Sequence, residues 1–248
     1  MNSSLSTTEI HPQLTAALEA LGLVAMGWRD AKTLPQRCWL NRTPPESGSL
    51  LVLGNGGGAL WPHFSRDRST SSAHPLDDYS LNTTDAMLAE FLPCDRQALF
   101  PVPDCPLDLV ALLDALAWQR PSPLGLGINR TYGLWSAVRA VWWLDATAPA
   151  PVSEKVAPDL CARCESQACV SACPAGAVTL GALPDLGDCA TYRFAPASRC
   201  EQTCVAREAC PVAPEHRYGG EQMAFHYRLE GSLMAQFRRE SDACPPDA

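Results

Sequence analysis

The sequence predicts an α+β fold, an α/β core followed by a smaller module held together by cysteines. Three observations predict it. Helix-period and strand-like apolar segments alternate through residues 1–150. A Pro- and Ala-rich stretch, ATAPAPVSEKVAPDL at 146–160, reads as a linker, and eight of the 12 cysteines then fall between 161 and 210. At 248 residues the chain is long enough to bury a core without covalent staples. The expected divisions are a core at 1–150, a cysteine module at 151–215, and a C-terminal helix and tail at 216–248.

Taken in order, residues 10–22 carry Leu14, Ala17, Leu18 and Leu21 at helical spacing, and Leu23–Trp28 reads as a short strand. SLLVL at 49–53 is a buried strand that runs into GNGGG at 54–58, expected as a flexible turn. The polar stretch 63–83 is expected as a loop. Pro106–Trp118 sets Leu109, Leu112, Leu113 and Leu116 on one helical face, with Pro106 in the first turn. The run LWSAVRAVWWL, 134–144, is rich in β-branched and aromatic residues and fits a strand. Alternation puts Val138, Ala140, Trp142 and Leu144 on one face and Ala137, Arg139, Val141 and Trp143 on the other. An arginine in so apolar a strand needs a carboxylate, a phosphate or a ligand oxygen, so Arg139 is either one half of a structural ion pair or a ligand contact. His226, in MAFHYRLEG, falls in a C-terminal helix, and SDACPPDA reads as a disordered tail.

Charge excludes some partners. The formal net charge is −8 with no basic run, which argues against DNA and against an anionic membrane surface. The N-terminal MNSSLSTTEIHPQL lacks the basic region of an export signal, and no apolar run reaches membrane-spanning length. A cytoplasmic location is therefore expected, where thiols stay reduced and clustered cysteines are metal ligands more often than disulfides.

From Cys161 the spacing is C-x2-C-x4-C-x3-C-P, through Cys164, Cys169 and Cys173. Bacterial ferredoxins use C-x2-C-x2-C-x3-C-P, three cysteines serving one [4Fe–4S] cluster and the fourth another. The two extra residues, within Glu165–Ala168, can loop out because the chain wraps around a cluster. Cys189, Cys200, Cys204 and Cys210 follow, the last again before a proline. Eight thiolates supply two [4Fe–4S] clusters. By analogy with two-cluster ferredoxins the expected sets cross: Cys161, Cys164, Cys169 and Cys210 for one, Cys173, Cys189, Cys200 and Cys204 for the other. Structural zinc favours paired C-x2-C knuckles, and only Cys161–Cys164 has that form. Cys38, Cys94, Cys105 and Cys244 stand apart and read as ordinary thiols.

The segment GINRTYGLWSAVRAVWWLDATAPAP followed by LCARC resembles the junction of epoxyqueuosine reductases, where a strand leads into a two-cluster ferredoxin-like domain. The same segment resembles the vitamin B12 processing (CblC) proteins, through Tyr132, Gly133, Leu134, Trp135 and Arg139. SLLVLGNGGGALWPHF and HPLDDYS resemble the latter family's first strand, turn and later Pro-Asp segment. The likeness covers roughly 128–211 for the first family and 45–145 for the second. It implies a nitroreductase-like α/β core, as in the reductive dehalogenases too, with a cobalamin site where Tyr132 and Trp135 line the pocket and Arg139 lies near the ligand or a thiol co-substrate. It further implies an oxidoreductase that reduces or processes a corrinoid, fed by a small redox donor such as a flavodoxin, a ferredoxin or a reductase. Flavin in place of the corrinoid, an epoxyqueuosine-reductase-like activity, and a plain ferredoxin-type electron carrier are the alternatives. The animal B12 proteins lack a cluster module, and no counterpart of the queuosine enzymes' catalytic aspartate segment is found here.

Other motifs carry less. GNGGG lacks the Gly-Lys-Ser/Thr of a phosphate loop, and its spacing breaks the dinucleotide fingerprint at Ala59. His63 and His74 read as solvated loop histidines. Without a D-x-H-x-x-G motif, base-off corrinoid binding with no protein ligand is expected.

Overall fold

A computed structural model describes residues 7–40, 42–67, 72–149 and 158–227. The chain divides into two compact units. One comprises Met1–Gln119 and Ser136–Ala157, the other Arg120–Trp135 and Pro158–Ala248. The expected single core at 1–150 therefore gives up 120–135 to the cysteine unit. The expected tail, 241–248, lies outside the described residues.

The first unit is built on a four-stranded antiparallel sheet. Its elements are α1 (Thr7–Ala20), β1 (Leu23–Asp30), β2 (Ser49–Gly56), α2 (Trp61–Asp67), α3 (Pro75–Phe91), β3 (Arg96–Phe100) and α4 (Leu109–Ala115), and β6 (Ser136–Leu144) returns to it after an excursion of the chain. The strand order is β1-β2-β6-β3. The two apolar runs recognised in the sequence occupy the centre, and β2 is buried along its whole length. Leu50, Val52 and Val141 pack against Leu112 and Leu113 of α4, together with Cys38 and Trp39. On the other side Trp142 donates its indole N–H to Thr84 of α3 at 2.9 Å. Residues of both parities along a central strand are thus covered, as expected for a sheet between helices.

Two expectations are corrected here. The polar stretch 63–83 is helical over most of its length, in α2 and α3. Pro75 occupies the first turn of α3, with Asp77 and Asp78 beside it at the positive end of the dipole. Leu76, Ser80, Thr84 and Leu88 recur every fourth residue and form the buried face. The two hydroxyls satisfy themselves on the helix, Ser80 donating to the Leu76 carbonyl at 2.6 Å and Thr84 to that of Ser80 at 2.7 Å. The second correction is GNGGG, whose first three residues continue β2. The expected helix at 106–118 shortens to Leu109–Ala115, because Asp108 accepts the Ala111 N–H at 2.9 Å and caps it.

The second unit has little regular structure. It contains a short ribbon, β4 (Arg120–Pro121) with β5 (Gly127–Ile128), and the short helices α5 (Ala168–Ala172), α6 (Leu186–Arg193), α7 (Val205–Glu208) and α8 (Gly220–Tyr227). Its apolar clusters are small. Ile128, Leu134 and Cys210 form one, and Trp135, Tyr218 and Met223 form another. Gly133 permits a close approach in the first: its φ is +56°, and a Cβ there would stand 2.3 Å from the Val212 carbonyl oxygen. Among the described residues no helix is long and apolar enough to cross a membrane. Across both units the protein is mixed α and β with a small antiparallel sheet, an α+β protein.

Candidate metal centre

Short local structures place the thiols. Cys161 and Cys164 are joined by a turn, the Cys164 N–H reaching the Cys161 carbonyl at 3.1 Å. Cys169 opens α5 and Cys173 caps its end. Cys189 sits in α6, whose start is fixed by Asp185 accepting the Asp188 N–H at 2.9 Å. Cys204 precedes α7 and Cys210 follows it. All eight thiols are free, and each is buried or partly buried.

Their mutual electrostatics separate them into two neighbourhoods. Burial pushes the Cys161 thiol up to about 11, helped by the charges of Cys210, Cys169, Asp159 and Cys164. Cys210 is raised by burial and by Cys169 and Cys164, with Arg217 opposing. In the other neighbourhood Cys204 is pushed up to about 11 by burial, then by Cys200 and Cys189. Cys189 is raised by burial, eased by Arg193, and raised again by Cys173 and Cys200. Cys169 is raised by burial and feels Cys164 and also Cys173, which lies on the same helix. Cys164 is held below its usual value, first by its hydrogen bond with the Ser166 hydroxyl.

The second neighbourhood encloses a space. Cys173, Cys189, Cys200 and Cys204 line one largely apolar cavity of about 170 Å³, closed in part by Arg193 and Tyr227. Cys161 borders a different hollow of about 560 Å³, with Asp159, Gln167, Leu180 and Leu183 around it. Among the described residues no three His, Cys, Asp or Glu side chains converge closely enough for one metal ion. A [4Fe–4S] cluster asks for a wider spacing, since each thiolate binds a different iron.

Two arginines that sequence reasoning missed stand beside these thiols. Arg193 and Arg207 are buried, at 5% and 8% exposure. Arg193 lies four residues after Cys189 on α6, and Arg207 three after Cys204 at the start of α7. That spacing, C-x3-R and C-x2-R on one helical face, was the available signal. The Arg207 guanidinium stacks 4.4 Å from the Trp135 ring centre and donates to the Leu134 carbonyl at 2.6 Å.

Of the three residues expected at a cobalamin site, Tyr132 and Trp135 belong to the cysteine unit and Arg139 to the sheet unit. Trp135 is fully buried inside the cysteine unit, under Arg207 and edge-on to Tyr218. Tyr132 belongs to the same unit and meets His216 ring edge to face. Arg139 belongs to the sheet unit. It is the extra residue where the β2–β6 register steps from Leu53↔Ala140 to Gly54↔Val138, a bulge that re-aims its side chain. Its Nε donates to the Asn55 amide oxygen at 2.7 Å.

No protein-family model and no curated protein matches the chain. Among solved structures it is similar to an epoxyqueuosine reductase from Bacillus subtilis, with TM-score 0.50 and 12% identity over 87% of this chain and 68% of that one. It is also similar to a catabolic reductive dehalogenase, with TM-score 0.47 and 13% identity over 95% of this chain and 41% of that one. The first of these likenesses shows a shared kind of fold.

Proposed function

We propose that the chain is an iron–sulfur reductase whose second unit holds two [4Fe–4S] clusters. Cys161, Cys164, Cys169 and Cys210 would hold one, and Cys173, Cys189, Cys200 and Cys204 the other. One observation carries this reading: four free thiols from three separate stretches of chain line a single, partly closed cavity. The donor set fits, because thiolate is the ligand of such clusters. When bound, the clusters supply one-electron transfer.

The chain's own residues prepare the site. Burial favours the protonated form of the Cys161 and Cys204 thiols, so each must lose its proton as iron binds, and the positive metal reverses the cause of the raised values. Tyr227, Leu126 and Val178 line the second cavity and limit water there. The test is anaerobic reconstitution with iron and sulfide. About eight irons per chain, with the electron paramagnetic resonance of reduced [4Fe–4S] clusters, is expected. Binding of a single zinc with no iron uptake would overturn the reading.

The acceptor we propose is a corrinoid, supported by the resemblance of residues 45–145 to B12 processing proteins and by Arg139 at its bulge. Trp135, fully buried, forms no wall of that site. Titration with cobalamin and, separately, with flavin mononucleotide tests this: a saturable base-off absorption shift is expected for cobalamin, and saturation by flavin alone would overturn it. A second reading, reduction of epoxyqueuosine in tRNA, rests on the resemblance of residues 128–211 to epoxyqueuosine reductases and is tested by assay on that substrate.

A further inference from the structure

We propose that Arg193 and Arg207 are potential-setting residues that make the site of Cys173, Cys189, Cys200 and Cys204 the more easily reduced of the two, where electrons entering the chain come to rest. This rests on the two-cluster reading.

The observation behind it is buried positive charge. Arg193 donates to the carbonyls of Thr203 at 3.4 Å, Glu201 at 3.3 Å and Tyr227, and its guanidinium lies 4.7 Å from the Tyr227 ring centre. Arg207 donates to Leu134 and to the Tyr227 hydroxyl, at 2.6 and 3.3 Å, and lies 4.4 and 5.0 Å from the Trp135 and Tyr218 rings. Those partners are neutral. The Nε of each is buried with no hydrogen-bond partner. The ion pairs Arg37–Asp114 and Arg96–Asp85 lie in the sheet unit. A cation taken from water without an anion is costly. Arg193 lines the same cavity as Cys173, Cys189, Cys200 and Cys204, and Arg207 stands three residues after Cys204 on α7; besides these thiols, the Tyr227 hydroxyl faces the Arg207 guanidinium. Asp185 also faces Cys189, from an exposed position at the start of α6.

The first thiol set lacks this arrangement. Asp159, two residues before Cys161, is exposed, and Arg217 donates to the Cys210 carbonyl at 3.3 Å from an exposed position where water screens its charge. A cluster with four thiolates is an anion that gains one more negative charge on reduction. Two cations fixed in a dry surrounding favour that reduced form. The asymmetry in buried charge thus becomes an asymmetry in reduction potential.

The experiment is a dithionite titration of the reconstituted full-length protein, followed by electron paramagnetic resonance, for wild type, R193Q, R193K, R207Q, R207K and R217Q. Iron per chain is measured on every sample. Wild type is expected to show two one-electron steps. R193Q and R207Q move only the upper step to more negative potential, the lysine variants keep it near wild type, and R217Q leaves it in place. Loss of about half the iron in a glutamine variant, with retention in its lysine counterpart, also supports the charge role. An unmoved upper step in every iron-loaded glutamine variant overturns the proposal, as does equal iron loss in lysine and glutamine variants. Failure of wild type to bind two clusters overturns the underlying reading instead, and the iron count tells the two apart.

Discussion

The carbonyl oxygen of Val212 occupies the place where Gly133 would carry a side chain, 2.3 Å from the position of a Cβ. Two stretches far apart in sequence meet there, one of them only two residues beyond Cys210. The left-handed backbone at Gly133, φ +56°, reinforces the demand for glycine. Gly133→Ala is expected to cost about 3 kcal/mol, from left-handed strain plus overpacking. It is also expected to loosen iron held through Cys210, read by urea denaturation and iron content on the same preparation.

The two thiol neighbourhoods predict separable losses. Cys204→Ser or Cys189→Ser is expected to lower bound iron from about eight to about four per chain while the other site keeps its signal. Cys210→Ser is expected to remove the complementary half. The same spectral component disappearing in all three variants would sink the assignment.

In the sheet unit, Thr84 accepts the indole N–H of Trp142 at 2.9 Å, and both groups are buried. Thr84→Val preserves shape but strands that donor. It is expected to cost about 1–3 kcal/mol in chemical denaturation, with iron content unchanged.

Cys38 has no exposed surface and is raised above the usual thiol value near 9, chiefly by burial; Arg37 opposes, and Asp108 and Asp114 add to the rise. The folded state therefore prefers the neutral thiol more than the unfolded chain does. Stability from this group is complete below the unfolded value and is lost as pH climbs above about 9. Any advantage of wild type over Cys38→Ala in urea is expected to shrink over that range, and Cys38 should resist alkylation until the protein unfolds.

The sequence made some of this legible and hid the rest for physical reasons. LLVL in β2 and the aromatic run in β6 are strands because they are apolar on both faces, and burial on both faces is what they meet. Helix α3 was hidden because Ser80 and Thr84 look like loop residues until their hydroxyls are seen bonding to the carbonyls one turn back. Likewise GNG was read from glycine's freedom, whereas pairing with Ser136–Val138 holds it extended. At the candidate centre the cysteines announce themselves by spacing. Their arginines do not, since an arginine near a helix end is ordinarily a solvated one, and burial is invisible before folding. The surroundings of Trp135 were hidden for a related reason: an aromatic next to a glycine turn reads as a pocket wall, and its place under a guanidinium shows only in the fold.

The excursion of residues 120–135 has a consequence for how the protein is made and moved. The sheet is complete once Leu144 has left the ribosome, yet Ile128, Leu134 and Trp135 must wait for partners encoded beyond residue 157. Nascent chain thus carries an unshielded apolar stretch during that interval, a natural point for chaperone capture. For the same reason the cysteine unit is not a portable cassette. A gene fragment beginning at the linker lacks the strip that packs beside Cys210, so transplanting this unit into another protein requires carrying two separate pieces of coding sequence.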